Sequence, residues 1–222
     1  MMLLALVAIG GTLTITADAN SPSIKNFTKQ ATYQVGRFTD VDQSAWYANS
    51  VALAYEYGLM SGTSATTFNA SSNITIAEVI TLAARIDSIF YTGAANFAPS
   101  AVWYQTYVDY AIDAGIINAG EYSNYTALAN RAQFADILAS ALPSYALNEK
   151  NWVDDNAIPD VKITDNYADA IYKLYRAGIV TGTDSQGSFS PSRSILRAEV
   201  ATIVTRMVDE SLRGAITLTG EY

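Results

Sequence analysis

The sequence predicts an all-α fold made of three helix–loop–helix repeats. One residue pattern occurs three times along the chain, and each copy contains two stretches whose apolar residues recur at the spacing of one helix face. A glycine separates the two stretches in each copy. A single helix pair cannot bury its apolar face alone. We therefore expect the three pairs to pack together around a shared core.

The first helix of each copy begins near a tyrosine, namely Tyr47, Tyr104 or Tyr167. Apolar residues follow four and seven positions later: Val51 and Ala54, Val108 and Ala111, and Ile171 and Leu174. Eleven positions after each tyrosine comes a glycine: Gly58, Gly115 or Gly178. Because glycine adopts a left-handed backbone at little cost, these three positions predict the ends of the first helices. The tyrosines lie on the apolar face and are predicted to belong to the core.

The second helix of each copy is predicted from the stretches "ITIAEVITLAARI", "ANRAQFADILASAL" and "ILRAEVATIVTRM". Their shared apolar positions are Leu82 and Ala83, Ile137 and Leu138, and Ile203 and Val204. Thr75 with Glu78, and Asn130 with Gln133, have the spacing of a capping box. In the third copy Leu196 takes the cap position, where its side chain cannot accept a hydrogen bond.

Composition excludes several classes of chemistry. The chain has 222 residues, half of them apolar, with no cysteine and no histidine. Thiol chemistry, disulfides, Cys/His zinc sites and histidine acid–base catalysis are therefore absent. The net charge of −8 argues against nucleic acid and anionic membranes as partners. No EF-hand spacing or phosphate-binding loop is present, so we predict no metal and no cofactor.

The N-terminal segment, residues 1–19, is predicted to be a signal peptide. Met1 to Ile15 is mostly apolar and uncharged, and Ala17-Asp18-Ala19 has the small–x–small pattern of a cleavage site. A basic start is missing, because the first lysine is Lys25. The alternative interpretation is a buried N-terminal strand. If the segment is a signal peptide, the protein is exported.

The repeated motifs resemble the S-layer homology domain of bacterial cell-surface proteins. The first copy contains Phe38-x-Asp40-Val41, Trp46-Tyr47, Ser61-Gly62, Phe68 and Ile74-Thr75-x-Ala77-Glu78. The third contains Ile158-Pro159-Asp160-Val161, Thr181-Gly182, Phe189-x-Pro191 and Arg197-Ala198-Glu199. The second keeps Trp103-Tyr104, Gly115 and Arg131-Ala132-Gln133 but lacks a clear Asp-Val opening. On this basis we expect repeats at 35–95, 96–152 and 153–215.

The resemblance implies that the three repeats pack as a pseudo-threefold trimer within one chain. It also implies grooves between neighbouring repeats that bind an acidic secondary cell-wall polysaccharide, often carrying pyruvate ketals, and it implies no catalytic residues. The expected protein is thus a secreted cell-wall or S-layer module whose partners are the wall polysaccharide and surface-layer proteins. No contact with the membrane is expected after signal removal.

Arg131 and Arg197 stand in the first turn of a predicted helix, where a cation opposes the helix dipole. The same helix end offers unpaired backbone N–H groups, so an added guanidinium would complete a site for a carboxylate. Ile76 takes this place in the first copy. We therefore expect two grooves that bind acid and one that is weakened, and no loss of stability when either arginine is removed. The alternative is an arginine on the surface or paired with a nearby aspartate.

Six further residues complete the candidate ligand-binding set. Trp46 and Trp103 offer flat faces suited to sugar contact, although they could equally pack between repeats; Asn166 takes their place in the third copy. Gly62 and Gly182 could admit a ligand close to the backbone or serve only as turn residues. Asp40 and Asp160 belong to the opening motif, and their position in loops also fits a capping role.

Two other functions are weighed against wall anchoring. One is a structural or lattice-assembly role on the same scaffold, with decayed sugar sites. The other is a glycan-cleaving enzyme, for which a pair of carboxylates would be needed. The loop aspartates recur with the repeat, which favours caps over a unique catalytic centre.

Overall fold

The computed structural model describes residues 21–220, and this part of the chain is mainly helical. The candidate signal peptide lies outside these residues. The helices are α1 (Ala48–Glu56), α2 (Ile76–Thr92), α3 (Gln105–Asp113), α4 (Arg131–Ser140), α5 (Ala168–Arg176) and α6 (Arg197–Val208). Single 3-10 turns occupy Ile24–Asn26, Ser144–Ala146 and Glu210–Leu212. None of the helices in 21–220 is both long and apolar enough to cross a bilayer.

Two short strands depart from the all-α prediction. Strand β1 (Trp152–Val153) pairs in parallel with β2 (Thr217–Leu218), with Trp152 opposite Thr217. The pairing arises because the C-terminal segment runs beside the loop that leads to α5. At Gly214 the backbone N–H donates to the carbonyl of Gly178, at 2.7 Å. The segment after α6 is thereby tied to the last helix pair.

The predicted helix ends are confirmed. Gly58, Gly115 and Gly178 have φ angles of 67°, 72° and 73°, in the left-handed region. Thr75 and Asn130 cap α2 and α4, and in both cases the capping box is complete. Before α6, Leu196 supplies no cap, but its backbone N–H donates to the Glu199 carboxylate at 3.0 Å. Local sequence therefore sets where these helices begin and end.

The predicted apolar faces form one core. The twelve residues predicted to share these faces are at most 5% exposed. They are Val51, Ala54, Leu82, Ala83, Val108, Ala111, Ile137, Leu138, Ile171, Leu174, Ile203 and Val204. Tyr47, Tyr104 and Tyr167 are half-buried and pack against this core. Burial of so many aliphatic side chains is the main source of stability, at about 1.5–3 kcal/mol for each large one.

Each short helix packs against the longer helix of the preceding pair. Helix α3 contacts α2, α5 contacts α4, and α1 contacts α6. Helices α2 and α4 also contact one another. The contact of α1 with α6 brings the first pair against the last. Each of these three interfaces forms a place where a groove can open.

The segments before the longer helices meet one another. Isolated β-bridges join Asn73 to Leu196, Thr75 to Leu128 and Asn130 to Ser194. The first backbone N–H of each longer helix donates to a carbonyl of another helix pair: Ile76 to Ala127 at 2.9 Å, Arg131 to Arg193 at 2.9 Å, and Arg197 to Ser72 at 2.8 Å. The second N–H does the same. Helix starts that usually face solvent or a ligand are thus paired within the protein.

Candidate functional site

Groove I lies between α1 and α6 and encloses a cavity of about 570 Å³. Among its lining residues are Trp46, Arg131, Gly182, Glu199, Thr202 and Arg206. The tryptophan precedes α1, the glycine belongs to the turn after α5, and Arg131 reaches in from the start of α4. This one groove is therefore lined by residues from, or next to, four helices: α1, α4, α5 and α6.

Groove II lies between α2 and α3 and encloses a smaller cavity of about 250 Å³. Its lining includes Gly62, Glu78, Thr81, Arg85, Trp103 and Arg197. Each residue stands at the position in its helix pair that corresponds to a lining residue of groove I. The structure therefore brings six predicted residues together in two matching sets: Trp46, Arg131 and Gly182 in one, and Trp103, Arg197 and Gly62 in the other.

The two tryptophans stand at the mouths of the grooves. Trp46 is 65% exposed and Trp103 is 55% exposed. Each ring packs edge-on against the following tyrosine, with ring centroids 5.4 Å apart and interplanar angles of 86° and 87°. The tyrosine thus holds the indole while leaving much of its surface open. Packing between helix pairs does not bury either ring.

Arg131 is almost completely buried, with 3% of its surface exposed. Its Nε donates to the carbonyl of Phe189 at 2.6 Å, and its Nη1 donates to Glu199 at 3.0 Å. The guanidinium also lies over the Phe189 ring, 4.7 Å from its centroid. Burial lowers the pKa of Arg131, and the Glu199 charge opposes that shift. The side chain joins α4 to the loop before α6.

Arg197 makes the matching contacts in groove II. Its Nε donates to the carbonyl of Phe68 at 3.0 Å, and its Nη2 donates to the carbonyl of Ser61 at 2.8 Å. The nearest carboxylate, that of Glu78, lies 4.0 Å away. Burial lowers the pKa of Arg197, opposed by the charges of Glu78 and Asp40. The arginine therefore fixes the Ser61-Gly62 turn that forms one wall of the groove.

These contacts correct the physical argument for an anion site at the helix start. The first two N–H groups of α4 and α6 are donated to carbonyls of another helix pair, and Asn130 accepts from the third N–H of α4. The guanidinium groups also have protein partners. Removing either arginine leaves buried carbonyls without a donor, so these contacts predict a loss of stability in place of the unchanged stability expected from the helix dipole.

The glycine in each turn is required by the turn itself. A Cβ at Gly62 would collide with the carbonyl of Ser64 and lie 2.5 Å from the Phe38 ring. At Gly182, where φ is +94°, a Cβ would lie 2.6 Å from Cα of Gly187. Local packing therefore explains both glycines without a ligand.

Asp40 and Asp160 hold loops and do not line either cavity. Asp40 accepts from the backbone N–H groups of Phe68 and Asn69, at 2.8 and 2.7 Å. In the third copy Asp160 accepts from the N–H groups of Phe189 and Ser190, both at 2.7 Å. Since Arg197 binds the carbonyl of Phe68, and Arg131 that of Phe189, the aspartates act on the grooves through these loops.

The third interface, between α4 and α5, has a different set of residues. Asn166 stands in the place of the tryptophan, Ile76 in that of the buried arginine, and Gln133 in that of the glutamate. Ser140 and Ala119 replace the second arginine and the turn glycine. The positions that hold cations in grooves I and II are therefore uncharged here.

The α4–α5 interface has a lysine of its own, on the short helix. Lys173 donates from Nζ to the carbonyl of Ala139 at 3.0 Å, and burial lowers its pKa. The aligned positions on α1 and α3 hold Leu53 and Tyr110. This lysine thus has no counterpart in grooves I and II, and it offers a point charge without the fork of a guanidinium.

Arg85 and Arg206 are lining residues that the sequence argument did not single out. Each stands nine positions after the first residue of its helix. The corresponding position of α4 is occupied by Ser140. Their recurrence in the aligned copies is the signal that identifies them. Across residues 21–220, no group of three or more acidic side chains is placed to hold a metal ion.

Comparison with known proteins gives one family. The model of the S-layer homology domain matches residues 37–80 and 157–201. No curated protein matches the chain. Trp46 and Gly62 fall in the first matched segment, and Gly182 and Arg197 in the second, whereas Trp103 and Arg131 lie between the two. A third repeat at 96–152 stays a prediction. Two segments of the chain thus match the S-layer homology domain, a family of binding modules that anchor proteins at the bacterial cell surface.

Proposed function

We propose that the chain is a non-catalytic anchoring module that binds an acidic secondary cell-wall polysaccharide in grooves I and II. The observation that carries this proposal is the repetition of one lining set in two separate grooves. Each set joins an exposed tryptophan to two arginines and one glutamate. Core packing alone does not require an exposed indole beside charged side chains.

The proposed mode of binding follows from these side chains. The flat indole stacks on the apolar face of a sugar ring, and polar groups on the groove walls bind its hydroxyls. The chain as a whole carries −8, so long-range attraction to an acidic polymer is unfavourable. Binding therefore depends on the positive charge inside the grooves and on the use of two grooves by one repeating polymer.

The proposed architecture is a pseudo-threefold trimer of repeats in one chain. The packing of each short helix on the preceding longer helix supports it, as do the three bridges between the segments before α2, α4 and α6. Export is part of the proposal, since wall polysaccharide lies outside the cell. N-terminal sequencing of the natural protein tests it, and a mature chain that still begins near Met1 contradicts it.

Wall binding tests the function directly. In a sedimentation assay with purified cell-wall sacculi, the double variant Trp46→Ala with Trp103→Ala should lose most of its binding. Trp152→Ala is the matched control, because Trp152 is 69% exposed but lies on β1, outside both grooves. Equal loss in the control variant would mean that exposed indoles bind the wall without the grooves. Normal binding by the double variant would contradict the role given to the tryptophans, and a wild-type chain that fails to bind the sacculi would favour the lattice-assembly role.

A further inference from the structure

Arg206 and Arg85 are the cations of the two grooves that have no carboxylate partner. Arg206 donates from Nη1 to the carbonyl of Ile179 at 3.3 Å, and Arg85 donates from Nη2 to the carbonyl of Gly58 at 2.9 Å. Neither forms a salt bridge with any residue of the described range 21–220. Both are half-buried and line their cavity. Burial lowers the pKa of Arg206, and no neighbouring carboxylate opposes it.

The first-turn arginines differ in this respect. Arg131 lies 3.0 Å from Glu199, and two of its nitrogens already donate to the protein. Arg197 donates twice to backbone carbonyls and has Glu78 at 4.0 Å. Their charge is largely compensated and their geometry is fixed. Each first-turn arginine thus uses two of its three guanidinium nitrogens within the protein, whereas each second arginine makes a single hydrogen bond and has more donors left for a ligand.

The charge of the lining is the same in both grooves. Among the described residues, the charged side chains that line groove I are Arg131, Arg206 and Glu199, and those that line groove II are Arg197, Arg85 and Glu78. Arg193 also pairs with Glu199, but its side chain is 41% exposed and lies outside the lining of groove I. Two lining cations face one lining anion in each case, so each lining carries one excess positive charge. A single anionic group on the ligand would neutralise it. A group with two charges would overcompensate it in a half-buried site, which is costly.

A threonine accompanies each of these arginines. Thr81 precedes Arg85 by four residues, and Thr202 precedes Arg206 by four, so each pair shares one helix face. All four side chains line the cavities. The Thr81 hydroxyl is buried and has no hydrogen-bond partner within the described residues, whereas that of Thr202 donates to the carbonyl of Ala198 at 3.2 Å. Groove II therefore has, among its lining residues, a threonine whose buried hydroxyl is unpaired and an arginine that lacks a counter-ion.

We propose that Arg206 and Arg85 bind the acidic group of the ligand, one singly charged carboxylate in each groove, while Arg131 and Arg197 position the groove walls. This assignment rests on the function proposed above. A guanidinium and a carboxylate form two parallel hydrogen bonds, which an ammonium group cannot do. The α4–α5 interface has Ser140 at this position and takes no acid.

The test uses purified cell-wall polysaccharide and the same material after chemical reduction of its carboxyl groups. The double variant Arg206→Gln with Arg85→Gln should bind the untreated polymer about 10- to 100-fold more weakly than the wild type. Its affinity for the reduced polymer should equal that of the wild type. Arg176→Gln is the control, because Arg176 pairs with exposed Asp155 outside the grooves. The Arg→Lys double variant keeps the charge, and it should recover only part of the affinity.

The outcomes separate this assignment from the proposed function. If the wild type binds the polymer and the Gln variants bind it equally well, the assignment is overturned and the function stands. An equal loss on both polymers, with a lower melting temperature, also overturns it, because the arginines are then structural. If the wild type binds neither polymer, the proposed function fails and the assignment fails with it.

Discussion

Grooves I and II and the α4–α5 interface each pack a short helix against a longer one, but they differ in what lines them. The two grooves each have an exposed tryptophan and two arginines; the corresponding positions of the third interface hold Asn166, Ile76 and Ser140. Ile76 is 2% exposed and fills its place with apolar surface. The helix pairs therefore pack without the charged set. The comparison teaches that packing needs a residue that fills the buried first-turn position, whereas the arginines of the second set serve the binding proposed above.

The third interface also has an acidic residue at a position that is uncharged in both grooves. Asp136 on α4 is half-buried, and burial raises its pKa, as does the negative charge of Glu121. The corresponding residues in the grooves are the uncharged Thr81 and Thr202. A ligand carboxylate at the third interface would meet the Asp136 carboxylate, and it would find Ser140 at the position where groove I has Arg206. Under the proposed function, the chain therefore has two sites for acid in place of three.

The largest expected effect concerns the buried first-turn arginine. Arg131→Ala leaves the buried carbonyl of Phe189 without its donor and removes one of the two arginines that pair with Glu199, so the free energy of unfolding should fall by about 3 kcal/mol. Arg193→Ala is the control, because Arg193 also pairs with Glu199, at 2.6 Å, but its side chain is 41% exposed. Its loss should cost about 1 kcal/mol or less. Urea denaturation of both variants checks this, and equal losses would show that the burial of Arg131 contributes nothing.

A smaller effect is expected at Asp136, in the third interface. Because the folded state raises its pKa above the ordinary value of 3.8, the stability that this carboxyl contributes is present at lower pH. That stability is lost as the pH rises through the raised pKa. Asp136→Asn cannot ionise, so it should melt above the wild type at about pH 7 and close to it at about pH 3.

The control for that variant is Asp109→Asn, since Asp109 is exposed. Melting of this control should track the wild type at both pH values. The gain at Asp136 should be smaller than the loss for Arg131→Ala, because Asp136 is only half-buried. A variant that is less stable than the wild type at neutral pH would show that the Asp136 carboxylate is stabilising and that the interface is not strained by it.

Much of the fold could be predicted from sequence because its signals are local. The capping boxes of Thr75 and Asn130 and the left-handed Gly58 each depend on residues within a few positions. The two-residue strand β1 could not be predicted, since its partner lies 65 positions away in the chain, as Trp152 opposite Thr217 shows. Short pairings of this kind leave no periodic pattern.

The candidate site was predictable in its members and less so in their roles. The aligned copies identify Arg131 and Arg197, but their acceptors, Phe189 and Phe68, lie 58 and 129 positions away. Spacing alone therefore cannot show that these donors are used within the protein. The role of Arg206 was hidden for the opposite reason. Its sequence position, on the polar side of an amphipathic helix, does not show that the arginine lacks a carboxylate partner within the protein.

The most direct test of the account is the number of sites. Calorimetric titration of the full chain with a short wall oligosaccharide that carries one carboxylate should give two bound ligands per chain, and one for Arg206→Gln or Arg85→Gln alone. The reduced oligosaccharide should bind weakly. Three bound ligands per chain would contradict the closed third interface, and an unchanged count of two in both single variants would contradict the role given to the second arginines.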